Sequence, residues 1–183
     1  AAGGNVISGN QAQGITVFSP GACGNLIQGN LIGLNATGAR ALGNGLEGVW
    51  MVDAPSNTVG SAAAGNVIAG NGKTAVYLQG ACLSNVISGN LIGTDALGTT
   101  GIGNSGGDGI LVFGGAGNLI GGTLAGARNL ISANARGIWI LGAGASNTVV
   151  QGNYIGTDIT GMIGLGNSED GMMIDSARNV VIG

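Results

Sequence analysis

Residues 85–95 read Asn-Val-Ile-Ser-Gly-Asn-Leu-Ile-Gly-Thr-Asp, and variants of this stretch return along the whole chain. Its first half is matched by residues 5–10, 66–71 and 129–134, and its second half by residues 153–158 (Asn-Tyr-Ile-Gly-Thr-Asp). Self-similarity at a fixed interval is the signature of repeat architectures. The 183 residues therefore divide into three long repeats of about 61 residues each.

Asparagine marks two shorter units within each long repeat. When the units are aligned, 18 of the 19 asparagines fall into three columns of six, and only Asn35 stands outside them. The first column is Asn25, Asn57, Asn85, Asn118, Asn147 and Asn179; the second is Asn5, Asn30, Asn66, Asn90, Asn129 and Asn153; the third is Asn10, Asn44, Asn71, Asn104, Asn134 and Asn167. We expect each column to be a vertical stack of side chains.

Short apolar segments separate the columns. The second residue after each first-column or second-column asparagine is Ile or Val. Each third-column asparagine is followed by a segment such as residues 14–17 (Gly-Ile-Thr-Val), 48–51 or 137–140. Short segments with alternating inward and outward residues predict β-strands. Three strands per unit, each bounded by Asn or Gly, predict a coil rather than a flat sheet.

Six such coils would stack as parallel strands about 4.8 Å apart, giving a shaft about 29 Å tall. A buried Asn would then hydrogen-bond to the Asn above it, which satisfies a polar group that is otherwise costly to bury. Odd-numbered coils carry longer loops between the first and second columns, at residues 61–65 and 122–128. Even-numbered coils carry them between the second and third, at residues 34–43 and 94–103.

The composition excludes several classes of protein. The chain has 41 Gly and no His, only 7% of its residues are charged, and its formal net charge is -3. Five scattered Lys and Arg residues cannot neutralise a nucleic-acid backbone. Glycine at this density disfavours helices, and no apolar stretch is long enough to span a membrane. Because the chain does not begin with Met, we interpret it as a mature or trimmed product. The composition suits an extracellular protein, and we expect an extracellular or cell-surface location.

The units at residues 85–95 and 171–174 (Gly-Met-Met-Ile) resemble right-handed parallel β-helix repeats. Such repeats occur in large secreted or surface proteins of bacteria and archaea, within the pectate-lyase-like fold. The resemblance covers the whole chain and implies an all-β, right-handed parallel β-helix that forms one domain over residues 1–183. It does not choose a function, because this fold hosts enzymes, adhesins and scaffolds.

The two ends of the chain suggest an assembly. A solenoid normally needs polar caps over its terminal coils, and the sequence offers none. Joining residues 179–183 to residues 1–5 of a second copy reproduces the ten-residue spacing of residues 57–66. We therefore expect copies to stack head to tail into a filament, a contact that does not close on itself. The residues at this junction are Ala1, Gly4, Asn5, Asn179, Val181 and Gly183.

Three other interpretations stay open. The chain can equally be a fragment of a longer repeat protein, cut at a repeat boundary. It can serve as a surface adhesin or carbohydrate-binding shaft. An enzyme acting on polysaccharide, a lyase or hydrolase, is the least favoured of the three.

The sequence points to no catalytic centre, metal site or cofactor. Without His, both a Ser-His-Asp triad and a His metal site are excluded. Asp95 and Asp158 lie in equivalent loops two coils apart, where they could help to hold Ca²⁺, but a turn-forming role is favoured. Pectate lyases of this fold use acidic clusters around Ca²⁺ with a nearby basic residue, and no such cluster is matched here. We expect a protein that is not an enzyme.

One outward column of the third-strand segments carries most of the aromatic residues: Thr16, Trp50, Tyr77, Leu111, Trp139 and Met173. An exposed apolar stripe of this kind usually marks a contact surface. Trp50, Tyr77 and Trp139 are therefore candidates for lateral filament packing or for glycan binding. The alternative is that a long loop folds over the stripe and buries it.

A charged column precedes the same strands: Gln13, Glu47, Thr74, Asp108, Arg136 and Asp170. It predicts a surface ion ladder with Arg136 between Asp108 and Asp170, which would fix the register of the coils. An anionic-sugar site at Arg136 is the less favoured reading.

The two cysteines and one sequon complete the predictions. Cys23 and Cys82 occupy similar corners two coils apart, about 10 Å by strand spacing, which is beyond the reach of a disulfide. We expect two free, largely buried thiols. Asn35-Ala36-Thr37 is a candidate glycosylation site in a protruding loop.

Overall fold

The computed structural model describes residues 4–183, so Ala1 lies outside the described residues. The described chain is a parallel β-solenoid, in which each turn contributes one strand to each of three sheets. Each sheet contains six strands, and each strand pairs in parallel with its equivalents in the neighbouring coils, on one side only for the strands at the two ends. The all-β fold predicted from the asparagine columns is confirmed.

The first sheet follows the second-column asparagines. Its strands are β1 (Val6–Ile7), β4 (Leu31–Ile32), β7 (Val67–Ile68), β10 (Leu91–Ile92), β13 (Leu130–Ile131) and β16 (Tyr154–Ile155). The second sheet follows the third-column asparagines and has the longest strands. They are β2 (Ile15–Phe18), β5 (Val49–Val52), β8 (Val76–Gln79), β11 (Ile110–Phe113), β14 (Ile138–Leu141) and β17 (Met172–Asp175).

The third sheet closes each coil. Its strands are β3 (Leu26–Ile27), β6 (Thr58–Val59), β9 (Val86–Ile87), β12 (Leu119–Gly121), β15 (Val149–Gln151) and β18 (Val181–Ile182). A single turn of 3₁₀ helix, Ala143–Ala145, is the one helical element of residues 4–183.

The core is a tube filled by branched aliphatic side chains. In the middle coils the second-sheet strands alternate buried and half-buried residues, and the buried ones stack in register, as Met51, Leu78 and Val112 do. In the first and third sheets the inward residue is the Ile or Val two positions after the asparagine, for example Ile68 and Ile87, except after Asn147 and Asn179, where it is three positions on, at Val150 and Ile182. The alternation predicted from the sequence is therefore confirmed.

Candidate functional site

The second asparagine column is a continuous hydrogen-bonded ladder. Each Nδ2 donates to the Oδ1 of the next asparagine toward the C-terminus, over 2.9 to 3.0 Å. The backbone N–H of the same residue donates to the same oxygen. Asn66, Asn90 and Asn129 are buried. The ladder thus replaces the main-chain pairing that a corner would otherwise lose.

The third column forms a similar ladder. Side-chain bonds of 2.7 to 2.9 Å join Asn10 through Asn44, Asn71 and Asn104 to Asn134. Only the last step differs, because Asn134 reaches Asn167 Oδ1 through its backbone N–H, at 3.0 Å.

The first column is a ladder only as far as Asn118. Asn25 Nδ2 donates to Asn57 Oδ1 at 2.9 Å, and the backbone N–H groups of Asn57 and Asn85 carry the contact on to Asn118. Within residues 4–183, the buried Nδ2 of Asn85 has no hydrogen-bond partner.

The prediction for Asn147 and Asn179 is wrong by one residue. Val149 pairs with Leu119, which follows Asn118, so the ladder position in that coil belongs to Thr148. Thr148 is fully buried and its Oγ1 donates to Ala145 O at 2.8 Å. By the same register Val180 holds the position in the last coil, so the predicted ten-residue spacing across a junction becomes nine residues, counted from Val180 to Asn5 of a second copy.

Asn147 and Asn179 instead occupy the preceding corner residue, whose φ is positive. Asn147 has φ 56° and Asn179 φ 55°, and the equivalent residue in earlier coils is Gly24 at 69°, Ser84 at 54° or Gly117 at 73°. Asn tolerates this left-handed conformation better than most residues do. Their amides still touch, with Asn179 Nδ2 donating to Asn147 Oδ1 at 3.3 Å, but at the surface.

The ladders make the two ends of the shaft chemically different. At the N-terminal end, no donor from residues 4–183 reaches Oδ1 of Asn5, Asn10 or Asn25, so this face presents acceptors. At the C-terminal end, Asn153 and Asn167 have no following asparagine, and their Nδ2 groups keep only the bonds to backbone carbonyls that interior asparagines such as Asn129 also make. That face presents the N–H donors that interior coils direct to the next Oδ1.

The C-terminal end also leaves core side chains open. Ile182 is 60% exposed and Ile174 is 41% exposed, although the residues below them in the same inward columns, Val150 and Ile140, are buried. Val181, at the outer side of the same edge, is exposed. At the other end Gly4 and Asn5 are exposed, as are Val6, Phe18 and Leu26.

The aromatic column is confirmed in register. Thr16, Trp50, Tyr77, Leu111, Trp139 and Met173 are successive partners across the second sheet. Trp50 and Tyr77 are half-buried, and Trp50 Nε1 donates to Gln79 Oε1 at 3.1 Å. Burial, and secondarily the charge of Glu47, raises the pKa of the Tyr77 hydroxyl.

Trp139 differs from the other aromatic residues because Arg136 covers it. The guanidinium carbon lies 3.9 Å from the centre of the indole ring, a cation–π contact. Arg136 also pairs with Asp108, Nε to Oδ1 2.7 Å, and with Glu169, 3.6 Å. The hydrogen bond to Asp108 is the main cause of a raised pKa at Arg136. One face of Trp139 is therefore already occupied.

The ion ladder is partly as predicted. Arg136 does bind Asp108, but its second ion-pair partner is Glu169 rather than Asp170. The carboxylates also lie deeper than a surface ladder requires, because Glu47 and Asp108 are buried. Gln13 Nε2 donates to Glu47 Oε2 at 3.2 Å, and Lys73 lies 3.9 Å from Glu47.

Asp95 and Asp158 have the turn-forming role that the sequence favours. Asp95 Oδ1 accepts the backbone N–H groups of Thr99 and Thr100, and Asp158 accepts those of Met162 and Ile163. The hydroxyl of Thr160, followed by backbone donors, lowers the pKa of Asp158. Among residues 4–183 no group of three or more Cys, Asp or Glu side chains is arranged to hold a metal ion.

Asn35 occupies the same position in its loop as these two aspartates. Its Oδ1 accepts from Thr37 Oγ1 at 3.0 Å and from the backbone N–H groups of Ala39 and Arg40. Glycosylation of Asn35 stays a prediction.

The prediction of two buried thiols holds for Cys82 alone. Cys82 is buried three residues before Asn85, at the position that Ala54 and Ala145 fill in other coils. Cys23 lies only two residues before Asn25, so it points outward and is exposed. Burial is the main cause of a raised pKa at the Cys82 thiol.

The comparisons with known proteins do not identify a family. No family model matches the chain, no curated protein is significantly similar to it, and no solved structure matches its fold significantly. Within the described part of the chain, no helix has the length and apolar character to cross a membrane. The class that the fold itself defines is a parallel β-solenoid with asparagine ladders.

Proposed function

We propose that the protein is a structural β-helix subunit whose copies stack head to tail into a continuous filament outside the cell or at its surface. The observation that carries the proposal is the complementarity of the two end faces. One face offers the Oδ1 acceptors of Asn5 and Asn10, and the other offers the amide donors of Asn153 and Asn167.

The polarity of the ladders favours only one orientation of stacking. In the interior, the ladder donors reach the Oδ1 of the next asparagine toward the C-terminal end, as Asn90 does toward Asn129. A second copy placed on that end with its N-terminal face down continues two of the three ladders. Head-to-head stacking would oppose acceptors to acceptors and would also make the strands antiparallel. Stacking adds less to the first ladder, because the last coil has Val180 at that position and offers no side-chain amide to Asn25 Oδ1 of the next copy.

Open strands and open core side chains provide the driving force. Unpaired strand edges are templates for another strand. Burial of a side chain such as Ile182 contributes roughly 1.5–3 kcal/mol, and Ile174 adds a similar contribution. The sequence resemblance implies a pectate-lyase-like fold and a bacterial or archaeal source. Both are compatible with this proposal, but neither is evidence for it.

The test is assembly of the pure chain as a function of concentration, by sedimentation and electron microscopy. Ile182→Lys places a charge in the junction while remaining exposed on the free subunit, so it should raise the critical concentration at least about 100-fold. The matched control is Leu97→Lys, at a residue that is also exposed but lies on a loop at the side of the shaft. Discrete short particles of the unchanged chain at high concentration would refute the proposal.

A carbohydrate-binding shaft is the second candidate, and the aromatic column favours it. Trp50 and Tyr77 lie side by side on neighbouring strands with half-exposed rings, which suit the apolar faces of sugars. Trp139 contributes less, because Arg136 already covers it. Trp50→Ala should abolish retention on immobilised polysaccharides, whereas Trp139→Ala should weaken it less. Equal retention of all three proteins would exclude this role.

A further inference from the structure

Three protruding loops of similar design line one edge of the shaft. We call residues 35–40, 95–100 and 158–163 the loop column. Each follows a strand of the first sheet in an even-numbered coil and is closed by an antiparallel bridge, Leu34 to Ala41, Thr94 to Gly101 or Thr157 to Gly164. Each begins with the Asn or Asp whose side chain caps the turn.

The loops contact each other directly, although a whole coil separates them. Ala96 N–H donates to Gly38 O at 2.9 Å, and Ile159 N–H donates to Gly98 O at 2.9 Å. Glycine is required beneath each contact. A Cβ on Gly38 would lie 2.5 Å from the Cβ of Ala96, and a Cβ on Gly98 would lie 2.9 Å from that of Ile159. The same docking geometry thus occurs twice within the chain.

The loops also cover the first sheet between them. The residues between two loops are Val67, which is half-buried, and Leu130, which is 1% exposed and lies 3.0 Å from the Cβ position of Gly98. Val6 is the equivalent residue in the first coil, with a loop on one side only, and it is exposed. Beside it lies an open cleft of about 720 Å³, lined in part by Val6, Leu31 and Ala36.

The column ends with a donor at one end and an acceptor at the other. Ala36 is exposed, and within residues 4–183 its N–H has no backbone acceptor, while Gly161 O has no backbone donor. These are the residues equivalent to Ala96 and Ile159, and to Gly38 and Gly98. In a head-to-tail stack, β16 of one copy is followed by β1 and then β4 of the next. Loop 35–40 of the second copy therefore falls two coils beyond loop 158–163, which is the interval found inside the chain.

We propose that loop 35–40 of one copy docks on loop 158–163 of the preceding copy, with Ala36 N–H donating to Gly161 O and the two loops covering Val6. This inference rests on the proposed filament and adds to it a second interface, separate from the strand edges. The partner it specifies is another copy of this chain.

The test compares substitutions at Ala36. Ala36→Pro removes the N–H donor, and because Ala36 is the second residue of the turn in which Gly38 N–H donates to Asn35 O, proline suits the free subunit. Loss of this hydrogen bond and of the close approach should raise the critical concentration about five- to tenfold. The matched control is Ala36→Ile, which keeps the donor and copies Ile159, and it should assemble within about twofold of the unchanged chain.

A second variant guards against misfolding of the first. Ala36→Glu stays exposed on the free subunit, but in the stack its charged side chain would lie over Gly161, where Ala96 and Ile159 place apolar side chains over Gly38 and Gly98, so it should weaken assembly in the same direction. If the unchanged chain forms filaments and both Ala36→Pro and Ala36→Glu assemble equally well, loop docking is wrong while end-to-end stacking stands. If the unchanged chain forms no filament, the proposed function and the docking both fail.

Discussion

Substitution of Asn90 by Ala tests the contribution of the asparagine ladder to stability. Asn90 is fully buried, and its Oδ1 accepts both the backbone N–H and the Nδ2 of Asn66. Its own Nδ2 donates to Asn129 Oδ1, Val59 O and Ser88 O. Alanine keeps the backbone but removes every one of these side-chain contacts.

The expected loss follows from the groups left unpaired. Asn66 Nδ2 keeps a bond to Ile27 O at 2.7 Å, but the buried backbone N–H of Asn66 loses its acceptor. A buried unsatisfied group costs about 1–3 kcal/mol, and each lost hydrogen bond contributes about 1 kcal/mol. We therefore expect the free energy of unfolding to fall by about 3 kcal/mol, a large share of the roughly 5–15 kcal/mol of a typical domain.

The assay is urea unfolding followed by tryptophan fluorescence, at a protein concentration low enough to preclude the proposed assembly. The matched control is Asn147→Gly, because Asn147 was aligned with the ladder but lies at the surface with positive φ. Glycine suits that conformation, so the control should change stability by less than about 0.5 kcal/mol. A loss below about 1 kcal/mol for Asn90→Ala, or equal losses for both variants, would refute the ladder's energetic role.

Three further predictions concern other groups of the shaft. Iodoacetamide should label Cys23 rapidly in the native chain, and Cys82 only after unfolding; labelling of both at one rate would contradict the assigned burial. Arg136→Gln leaves the buried Asp108 carboxylate without its ion-pair partner and should lower the free energy of unfolding in urea by about 2–3 kcal/mol. Adding Asp108→Asn should restore stability, and an unchanged stability of Arg136→Gln would show that the pair contributes nothing. The pKa of Asp158 is lowered, so its contribution to loop stability is present above its ordinary pKa of 3.8 and is lost as pH falls through the folded value. NMR shifts of the loop amides that donate to this carboxylate should therefore titrate with a midpoint below 3.8, and a higher midpoint would contradict the turn.

The repeat in the sequence predicts most of the fold because stacked coils place equivalent residues above one another. Asn90 and Asn129 are 39 residues apart in the chain, yet both are recognisable from the same local pattern. The alternation of buried and outward residues in β5 and β8 is predicted for the same reason. Residues without a repeated partner carry no such signal.

The shift at Asn147 shows where this reasoning fails. The corner before Thr148 needs a residue that tolerates positive φ, and Asn satisfies that requirement as well as it satisfies a ladder. Val149 and Val150 are both branched, so a one-residue displacement still leaves Val two positions after the assumed asparagine. Sequence alignment could not separate the two placements, whereas the pairing of Val149 with Leu119 does.

The prediction that both cysteines are buried is wrong for a related reason. Cys23 and Cys82 both follow Gly-Ala, but the distance to the next ladder asparagine differs by one residue. That single residue turns one thiol outward and the other into the core. Counting back from the asparagine, rather than matching the local tripeptide, would have predicted the difference.

The loop column also has a signal in the sequence, although it lies outside the three asparagine columns. Asn35, Asp95 and Asp158 occupy one position in three loops, and a glycine follows each of them three residues later, at Gly38 in the first loop. The spacing indicates a shared turn. Contact between loops two coils apart depends on how far each loop rises from the shaft, which no local pattern specifies.

Cryo-electron microscopy of the assembled chain tests the central claim most directly, because the rise per subunit follows from the fold. Residues 4–183 contribute six strands to each sheet, and stacking without a gap at a strand spacing of about 4.8 Å predicts a rise of about 29 Å per copy. The map should show Asn153 of one copy within hydrogen-bonding distance of Asn5 of the next. Filaments built through side-by-side contacts, or copies joined with their C-terminal faces together, would contradict the account.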